Sequence, residues 1–151
     1  AHSCNVADQQ QVIEIFNSIG NVHILVNNAG IAHVGKADTT SEADFDKVVN
    51  INIKAVYNCI HAVVPLLRKS NGGVILNMAS IAALVGLPDR FVYSAAKGAV
   101  FAMTLSVAKD YITENIRVLQ DEFFRTGRRV MRGNSCICPR NDIIPASQRR
   151  L

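Results

Sequence analysis

Two kinds of hydrophobic pattern alternate along most of the chain. Residues 23–26 and 74–78 are short, mainly apolar runs, as expected of strands that are buried on both faces of a parallel sheet. Residues 8–19, 41–69 and 90–111 read as helices, and the middle one keeps its apolar side chains at the helical period. Helices that alternate with buried strands indicate an α/β domain around a parallel sheet, with ligands at the carboxyl ends of its strands.

The charge of the chain is concentrated in its last part. The whole sequence has a net charge of +4, but residues 117–151 hold eight arginines and only three acidic residues. Because no clean helical or strand period continues after Val118, we expect a folded core at 1–118 and a basic, irregular segment at 119–151. Such a segment can bind nucleic acid. No motif that reads DNA or RNA accompanies it, so a solvated or ill-folded segment is the favoured interpretation.

The cysteines and the lack of a long apolar run bear on location. Cys4, Cys59, Cys136 and Cys138 do not indicate the disulfide framework of a small secreted protein. The Cys136-x-Cys138 pair has no second pair to complete a metal site, so we expect no metal. No apolar run reaches the roughly 20 residues of a membrane span, and no charged-then-apolar leader opens the chain. These features predict a cytoplasmic protein that does not bind membranes.

Several polar residues stand where an α/β sheet places its ligand site. Tyr93 and Lys97 are four positions apart and share a helix face, so the ammonium group can favour the phenolate of the tyrosine. A tyrosine in this setting can give a proton to a substrate oxygen or take one from it. Ser80 and the Asn-Asn-Ala-Gly sequence at 27–30 each follow a predicted strand directly, which places both at the carboxyl edge of the sheet.

The order and spacing of these residues resemble those of the short-chain dehydrogenase/reductase family. The matching features are the turn at 27–30, Asn52, Ser80 and the Tyr93/Lys97 pair. The Tyr-x-x-x-Lys pair alone occurs by chance in many helices, whereas the four features together are a specific signal. The resemblance covers about residues 3–118. It implies a Rossmann-like, doubly wound parallel sheet that is incomplete here, because only the central part of that fold is represented.

The resemblance implies catalytic roles for four residues. Tyr93 would be the general acid and base, and Lys97 would keep it ionisable and hydrogen-bond the nicotinamide ribose. Ser80 would donate a hydrogen bond to the substrate oxygen and position it. Asn52 would hold a water that relays protons to the lysine. Asn50 is the competing candidate for that last role, and the Asn-x-Asn-Ile pattern favours Asn52.

The resemblance also implies a site for NAD or NADP. Asn5 and Val6 lie where the family has an Asp-Val pair that contacts adenine, and asparagine can still accept a hydrogen bond from the adenine amine. The family turn that lines the adenosine ribose corresponds here to Asn27, Ala29 and Gly30. The remaining cofactor contacts are expected from Tyr93, Lys97 and Pro139.

The sequence also departs from the family pattern. The glycine-rich phosphate turn that precedes these motifs in the family does not occur in it, nor does the residue that separates NAD from NADP. Residues 115–118 and 136–139 look like two halves of one family strand, which predicts an insertion at 119–135. Arg140 replaces the glycine that follows the proline, and its bulk would crowd the nicotinamide. We therefore expect a middle piece of the fold that by itself is poorly stable and binds cofactor weakly or not at all.

Two functions follow from these observations. The first is an NAD(P)-dependent oxidoreductase that interconverts a secondary alcohol and a ketone on a small-molecule substrate. The alternative is a truncated, catalytically inactive fragment that acts at most as a dimerising or interaction module. In both cases the helices at 41–69 and 90–111 are expected to pair copies of the chain into a homo-oligomer.

Overall fold

The computed structural model describes residues 2–121, which form an α/β unit. A π-helical turn at Asn50–Lys54 lies within the second predicted helix, and short 3-10 turns at Ile81–Ala83 and Ile112–Glu114 precede the last helix and the last strand. In chain order the helices and strands are α1 (Gln9–Ile19), β1 (Ile24–Asn27), α2 (Glu42–Val49), α3 (Ala55–Lys69), β2 (Gly73–Met78), α4 (Phe91–Asp110) and β3 (Ile116–Asp121).

The three strands form a parallel sheet in the order β1-β2-β3. Leu25 pairs with Ile75, and Ile75 pairs with Val118, so these three side chains lie on the same face of the sheet. The alternation of helices with parallel strands confirms the predicted α/β fold. Because the strands are parallel, the residues that follow Asn27 and Met78 meet at one edge of the sheet.

Local capping interactions set the beginnings of α1 and α2. The Asp8 carboxylate accepts hydrogen bonds from the backbone N–H groups of Gln10 and Gln11. The Ser41 hydroxyl accepts one from the backbone N–H of Asp44 and donates one to its carboxylate. Both caps satisfy amide groups that the first turn of a helix leaves without partners, so these two helices start where the sequence predicts.

One face of the sheet is covered by helices. α3 packs against β1 and β2, α4 packs against β2 and β3, and α1 packs on α3. Burial of a large apolar side chain contributes about 1.5 to 3 kcal/mol, so this face is the main source of stability. The buried core includes Val12, Leu25, Val56, Val63, Leu67, Ile75, Val100, Ile116 and Val118.

The opposite face of β1 is exposed in the described part of the chain. Side chains alternate along a strand, so Ile24 and Val26 point away from the helices that cover Leu25. These two side chains are 65% and 51% exposed. The prediction of a strand buried on both faces is therefore wrong for β1 within residues 2–121.

The region predicted as one helix at 41–69 is divided into three parts. α2 ends at Val49, the π-helical turn occupies Asn50–Lys54, and α3 begins at Ala55. A π-helical turn carries more residues per turn than an α-helix and is often found at functional sites. Side chains on it therefore point in other directions than they would on a continuous α-helix. In this turn Asn52 is buried, whereas Asn50 is exposed.

The last strand extends past the predicted end of the core. β3 runs from Ile116 to Asp121, whereas the hydrophobic pattern ends at Val118. Pro139, Arg140 and most of the predicted insertion at 119–135 lie outside the described residues.

By length and composition, α4 could cross a membrane. It has 20 residues, and its most apolar window has a mean hydropathy of 1.4. The expectation that the chain holds no such segment is corrected to this extent. However, Lys97 and Thr104 are among its buried residues, and the helix packs against two strands. This arrangement is that of a core helix, and core helices can have the same length and hydropathy as a membrane span.

Candidate active site

Three segments meet at the carboxyl edge of the sheet: the loop after β1, the turn after β2 and the start of α4. A Cβ atom at Gly30 would stand 3.4 Å from Asn52 Oδ1 and 3.8 Å from Lys97 Nζ. The 3-10 turn that begins after Ser80 packs against α4, which carries Tyr93. The structure thus places Gly30, Asn52 and Lys97 within contact distance of one another. Ser80 lies at the start of a turn that packs against α4, the helix that carries Lys97.

Asn52 fastens the loop after β1 to the π-helical turn. Its side-chain oxygen accepts a hydrogen bond from the backbone N–H of Ile31, and its amide nitrogen donates one to the Ile31 carbonyl, both at 2.8 Å. The side chain is buried. Both polar ends of the amide are therefore engaged by one backbone residue. The loop that contains Gly30 is held at a fixed position beside Lys97.

Lys97 is a buried cation that is anchored to the sheet. Only 8% of the residue is exposed, and its Nζ donates a hydrogen bond to the Met78 carbonyl oxygen at 2.6 Å. Burial lowers the pKa of Lys97, because an ammonium group loses hydration inside the protein. One of its three N–H bonds is used by Met78, so two donors remain to bind other groups.

Tyr93 and Lys97 share one face of α4, as their spacing predicts. Tyr93 is half-buried in the first turn of the helix, and Lys97 Nζ lies 5.9 Å from the centroid of its ring. At this distance the cation lies near the tyrosine ring and can influence the ring electrostatically.

Ser80 lies between β2 and the 3-10 turn and is buried. Its hydroxyl oxygen accepts a hydrogen bond from the backbone N–H of Ala82 at 3.2 Å. Serine can therefore act here as the cap of a turn. Because that bond uses only a lone pair, the hydroxyl proton stays available to donate to a substrate oxygen.

The predicted adenosine side of the site is built by the N-terminal segment and α3. Asn58, buried on α3, donates a hydrogen bond from its amide nitrogen to the Val6 carbonyl at 3.0 Å. The Asn5 side-chain oxygen accepts one from the Ala7 backbone N–H at 3.1 Å. A cavity of about 80 Å³ lies beside this segment. Its lining includes Val6, Leu25, Val26, Asn27, Asn28, Ala29, Ala55, Val56 and Cys59.

Asn27 is directed into the protein. Its amide nitrogen donates a hydrogen bond to the side-chain oxygen of Asn77 on β2 at 2.8 Å, and both residues are buried. Asn27 therefore supports the sheet, whereas Ala29 and Gly30 present the exposed part of the same turn.

Sequence reasoning missed Asn58, Asn77 and Thr104. Asparagine is a poor former of both helices and strands, so Asn58 in a helix and Asn77 in a strand carry the same local conflict that drew attention to Asn52. Thr104 gives no clear signal, because a threonine in a helix can bond the backbone of the preceding turn.

Exposed apolar side chains lie on the loop after β1 and on the segment that leads into α4. Gly35, in the loop after β1, pairs with Arg90 at the start of α4 through an isolated bridge, which brings the two segments side by side. Exposed apolar side chains on and beside these segments are Val34, Leu84, Val85, Leu87 and Phe91.

Among residues 2–121, no group of three or more His, Cys, Asp or Glu side chains could hold a metal ion. Cys136 and Cys138 lie beyond that range.

Sequence comparison identifies relatives over most of the chain. The model of the short chain dehydrogenase family matches residues 1–120. An uncharacterized oxidoreductase of Thermotoga maritima is 42% identical over 112 residues, which are 74% of this chain and 45% of that protein. The 2-(R)-hydroxypropyl-CoM dehydrogenase of Xanthobacter autotrophicus is 39% identical over 120 residues, which are 75% of this chain and 48% of that protein.

Solved structures share the fold of this chain. ElxO with NADP bound matches with a TM-score of 0.76 and 34% identity, over 79% of this chain and 50% of that one. NAD⁺-bound xylitol dehydrogenase matches with a TM-score of 0.77 and 31% identity, over 80% of this chain and 48% of that one. The chain spans about half the length of these relatives. Its parallel sheet, its site geometry and the family match together show that it belongs to the short chain dehydrogenase family, which confirms the resemblance.

Proposed function

We propose that the protein is an NAD(P)-dependent oxidoreductase that interconverts a secondary alcohol and a ketone. The observation that carries this proposal is the contact-distance grouping of Gly30, Asn52 and Lys97 beside the helix turn that bears Tyr93. The relatives support it, since one of them is named for a substrate whose hydroxyl stands on the second carbon of a propyl group.

Tyr93 is the proposed general acid and base. In reduction its hydroxyl gives a proton to the carbonyl oxygen, and in oxidation its phenolate takes the proton of the alcohol. The Ser80 hydroxyl donates a hydrogen bond to the same oxygen and holds it in place. The Lys97 ammonium group lies beside the Tyr93 ring, where its two remaining N–H bonds can hold the cofactor ribose close to the tyrosine. Asn52 keeps the loop with Gly30 in position and retains a free lone pair on Oδ1 for the water that the family pattern implies.

The donor set of the site fits a nicotinamide cofactor. Lys97 has two N–H bonds beyond the one to Met78, and ribose hydroxyls are suitable acceptors for them. Val6 and Ala29 border the cavity on the proposed adenosine side, with Asn5 adjacent to it in the chain. NAD(P), when bound, supplies or accepts the hydride. Pro139 is the remaining proposed contact, and either NAD or NADP is compatible with these residues.

The proposed substrate has an apolar portion next to the reacting carbon. Leu87 and Phe91 are exposed on the segment between Ser80 and Tyr93, and Val34 is exposed on the neighbouring loop. Such side chains favour contact with carbon chains or rings. The free thiols of Cys4 and Cys59 support a cytoplasmic location for this activity.

The test is Tyr93→Phe in the protein in its full natural length. We expect turnover of ketones with NADH or NADPH to fall below detection, since the proton donor is lost, while the cofactor dissociation constant changes by less than about threefold. Cofactor binding is read from the fluorescence of the bound nicotinamide. Tyr111→Phe, which removes a hydroxyl at the opposite end of α4 from Tyr93, is the matched control and should keep wild-type turnover.

Turnover retained by Tyr93→Phe would refute the mechanism. No turnover by the unmodified protein with either cofactor, over a panel of aliphatic and cyclic ketones, would favour the inactive interaction module instead.

We also propose that copies of the chain associate through α2, α3 and α4. Phe45, Tyr57 and Leu105 are exposed apolar side chains on these helices. Tyr57→Glu combined with Leu105→Glu should convert an oligomer to a monomer in size-exclusion chromatography with light scattering. Ile19→Glu, at the end of α1, is the control because Ile19 is about as exposed as Tyr57. An unchanged mass in the double variant would place the interface elsewhere.

A further inference from the structure

A buried chain of hydrogen bonds links β1, β2 and α4 behind the candidate site. Asn27 Nδ2 donates to Asn77 Oδ1 at 2.8 Å, and Asn77 Nδ2 donates to Thr104 Oγ1 at 2.9 Å. The Thr104 hydroxyl in turn donates to the Val100 carbonyl at 2.8 Å. Asn77 is 0% exposed and Thr104 is 3% exposed, so water does not compete for these groups.

The direction of each bond in this chain is determined by its neighbours. Thr104 has one proton, which it gives to Val100, so its oxygen must accept from Asn77. The amide oxygen of Asn77 must then face Asn27. If the Asn77 amide were rotated by 180°, its NH₂ group would face the NH₂ group of Asn27, and two donors would meet without an acceptor. Asn77 therefore has a single orientation that satisfies both contacts.

Thr104 and Lys97 lie on the same face of α4, because they are seven residues or about two helical turns apart. Thr104 is bonded to the side chain of Asn77, and Lys97 Nζ is bonded to the carbonyl of the next residue, Met78. α4 is thus attached to two consecutive residues of β2 by two directional contacts. The buried apolar side chains of α4 next to these two residues, Ala96 and Val100, make apolar contacts, which are not directional.

We propose that Asn77 and Thr104 are positioning residues that determine where Lys97, and with it Tyr93, stands relative to the edge of the sheet. The proposal rests on the proposed oxidoreductase function for its kinetic consequence, although the geometry it describes does not depend on that function. Loss of the Asn77–Thr104 contact removes one of the two polar contacts, so α4 can shift or rotate about the other. A displacement of about 1 Å at a reacting group can reduce turnover by about 100-fold.

The kinetic test compares Thr104→Val with Thr104→Ser in the protein in its full natural length. Valine keeps the shape of the side chain without its hydroxyl, and serine keeps the hydroxyl. We expect Thr104→Val to lower kcat by about 10- to 100-fold with little change in the KM for the cofactor, and Thr104→Ser to restore most of the loss. Val63→Ala, a cavity variant in the core on α3, controls for lost stability alone. Equal kcat losses in Thr104→Val and Val63→Ala, or no rescue by serine, would overturn the proposal.

A spectroscopic test separates this proposal from the proposed function. The ¹⁵N resonance of the Lys97 ammonium and the ring resonances of Tyr93 report their surroundings without any turnover. We expect both to shift in Thr104→Val and to stay at wild-type positions in Thr104→Ser and Val63→Ala. If the unmodified protein has no turnover, the proposed function fails and these shifts alone decide the positioning role.

If Thr104→Val does not fold, a second variant, Thr104→Ala, allows the same measurement. Thr104→Ala leaves room for a water that can satisfy Asn77, so the protein should fold while α4 loses its direct attachment. The same shifts of the Lys97 and Tyr93 resonances are expected, and their absence would overturn the proposal.

Discussion

Buried asparagines carry much of the specific structure around the site. Asn52 bonds both polar groups of Ile31, Asn58 bonds the Val6 carbonyl, and Asn27 and Asn77 bond each other. A buried amide is costly unless it is hydrogen-bonded, so each of these residues fixes the position of its partner. The conflict between asparagine and regular secondary structure is thus a residue-scale signal that can be read from sequence.

Asn52→Ala tests the clamp on the loop after β1. The variant leaves the N–H and the carbonyl of Ile31 without their partners, so we expect the free energy of unfolding to fall by about 2 to 3 kcal/mol. Urea denaturation followed by circular dichroism measures this change. Asn50→Ala, on the same turn but exposed, is the control and should stay within about 0.5 kcal/mol of wild type. Equal losses in the two variants would contradict the assigned role of Asn52.

At the scale of the secondary-structure elements, the π-helical turn between α2 and α3 links the site residue Asn52 to its surroundings. It places Asn52 against the loop after β1, while α2 and the turn itself also pack against α4. An uninterrupted helix at 41–69 would keep the same hydrophobic period but would not be expected to place Asn52 in the same orientation. The π-helical turn therefore serves the site more than the core.

A second contact between elements joins the end of α3 to the turn before β3. Arg68 forms a two-point ion pair with Glu114 and lies 5.2 Å from the centroid of the Tyr111 ring. The hydrogen bond from Arg68 lowers the pKa of Glu114 below its ordinary value of 4.5. Glu114 therefore stabilises the folded state above pH 4.5, and this contribution is lost as the pH falls through the lowered folded pKa.

Glu114→Gln should have a lower melting temperature than wild type at neutral pH. The difference should be modest because both side chains are partly exposed, and it should shrink in high salt and at acid pH. Differential scanning calorimetry across a pH series measures it. Glu14→Gln, on α1, serves as the control. A difference that persists unchanged at acid pH would show that the ion pair is not its source.

At the scale of the whole molecule, the helices of the described residues cover only one face of the sheet. The exposed Ile24 and Val26 on β1 form an apolar strip, and apolar strips on sheet strands promote association. Weak stability of the chain by itself stays a prediction.

We expect the 151-residue chain alone to bind the dye ANS and to associate at high concentration. Ile24→Thr combined with Val26→Thr should reduce both effects without changing the helical circular dichroism signal, since more than half of each side chain is exposed. Ile19→Thr, another exposed apolar position, is the control for a general loss of surface apolarity. Unchanged dye binding in the double variant would mean that a different surface is responsible.

Much of the fold could be predicted from local sequence patterns. The parallel sheet and the order of its elements follow from the alternating hydrophobic periods, and the starts of α1 and α2 follow from Asp8 and Ser41. The pattern could not predict the break at Asn50–Lys54, because α- and π-helical turns differ too little in period over five residues. It also ended the core at Val118, whereas β3 continues to Asp121 because the strand pairs with β2 along that length.

The sequence by itself determined the fold class, the family and the Tyr93/Lys97 pair, because these depend on neighbours along the chain and on fixed helical spacing. Only the tertiary structure decided what the buried asparagines bind. Asn52 and Ile31 are 21 positions apart, Asn77 and Thr104 are 27 apart, and Asn58 and Val6 are 52 apart. No periodic pattern predicts contacts between residues so far apart in sequence. These contacts form only when the helices pack on the sheet and exclude water from the polar groups between them.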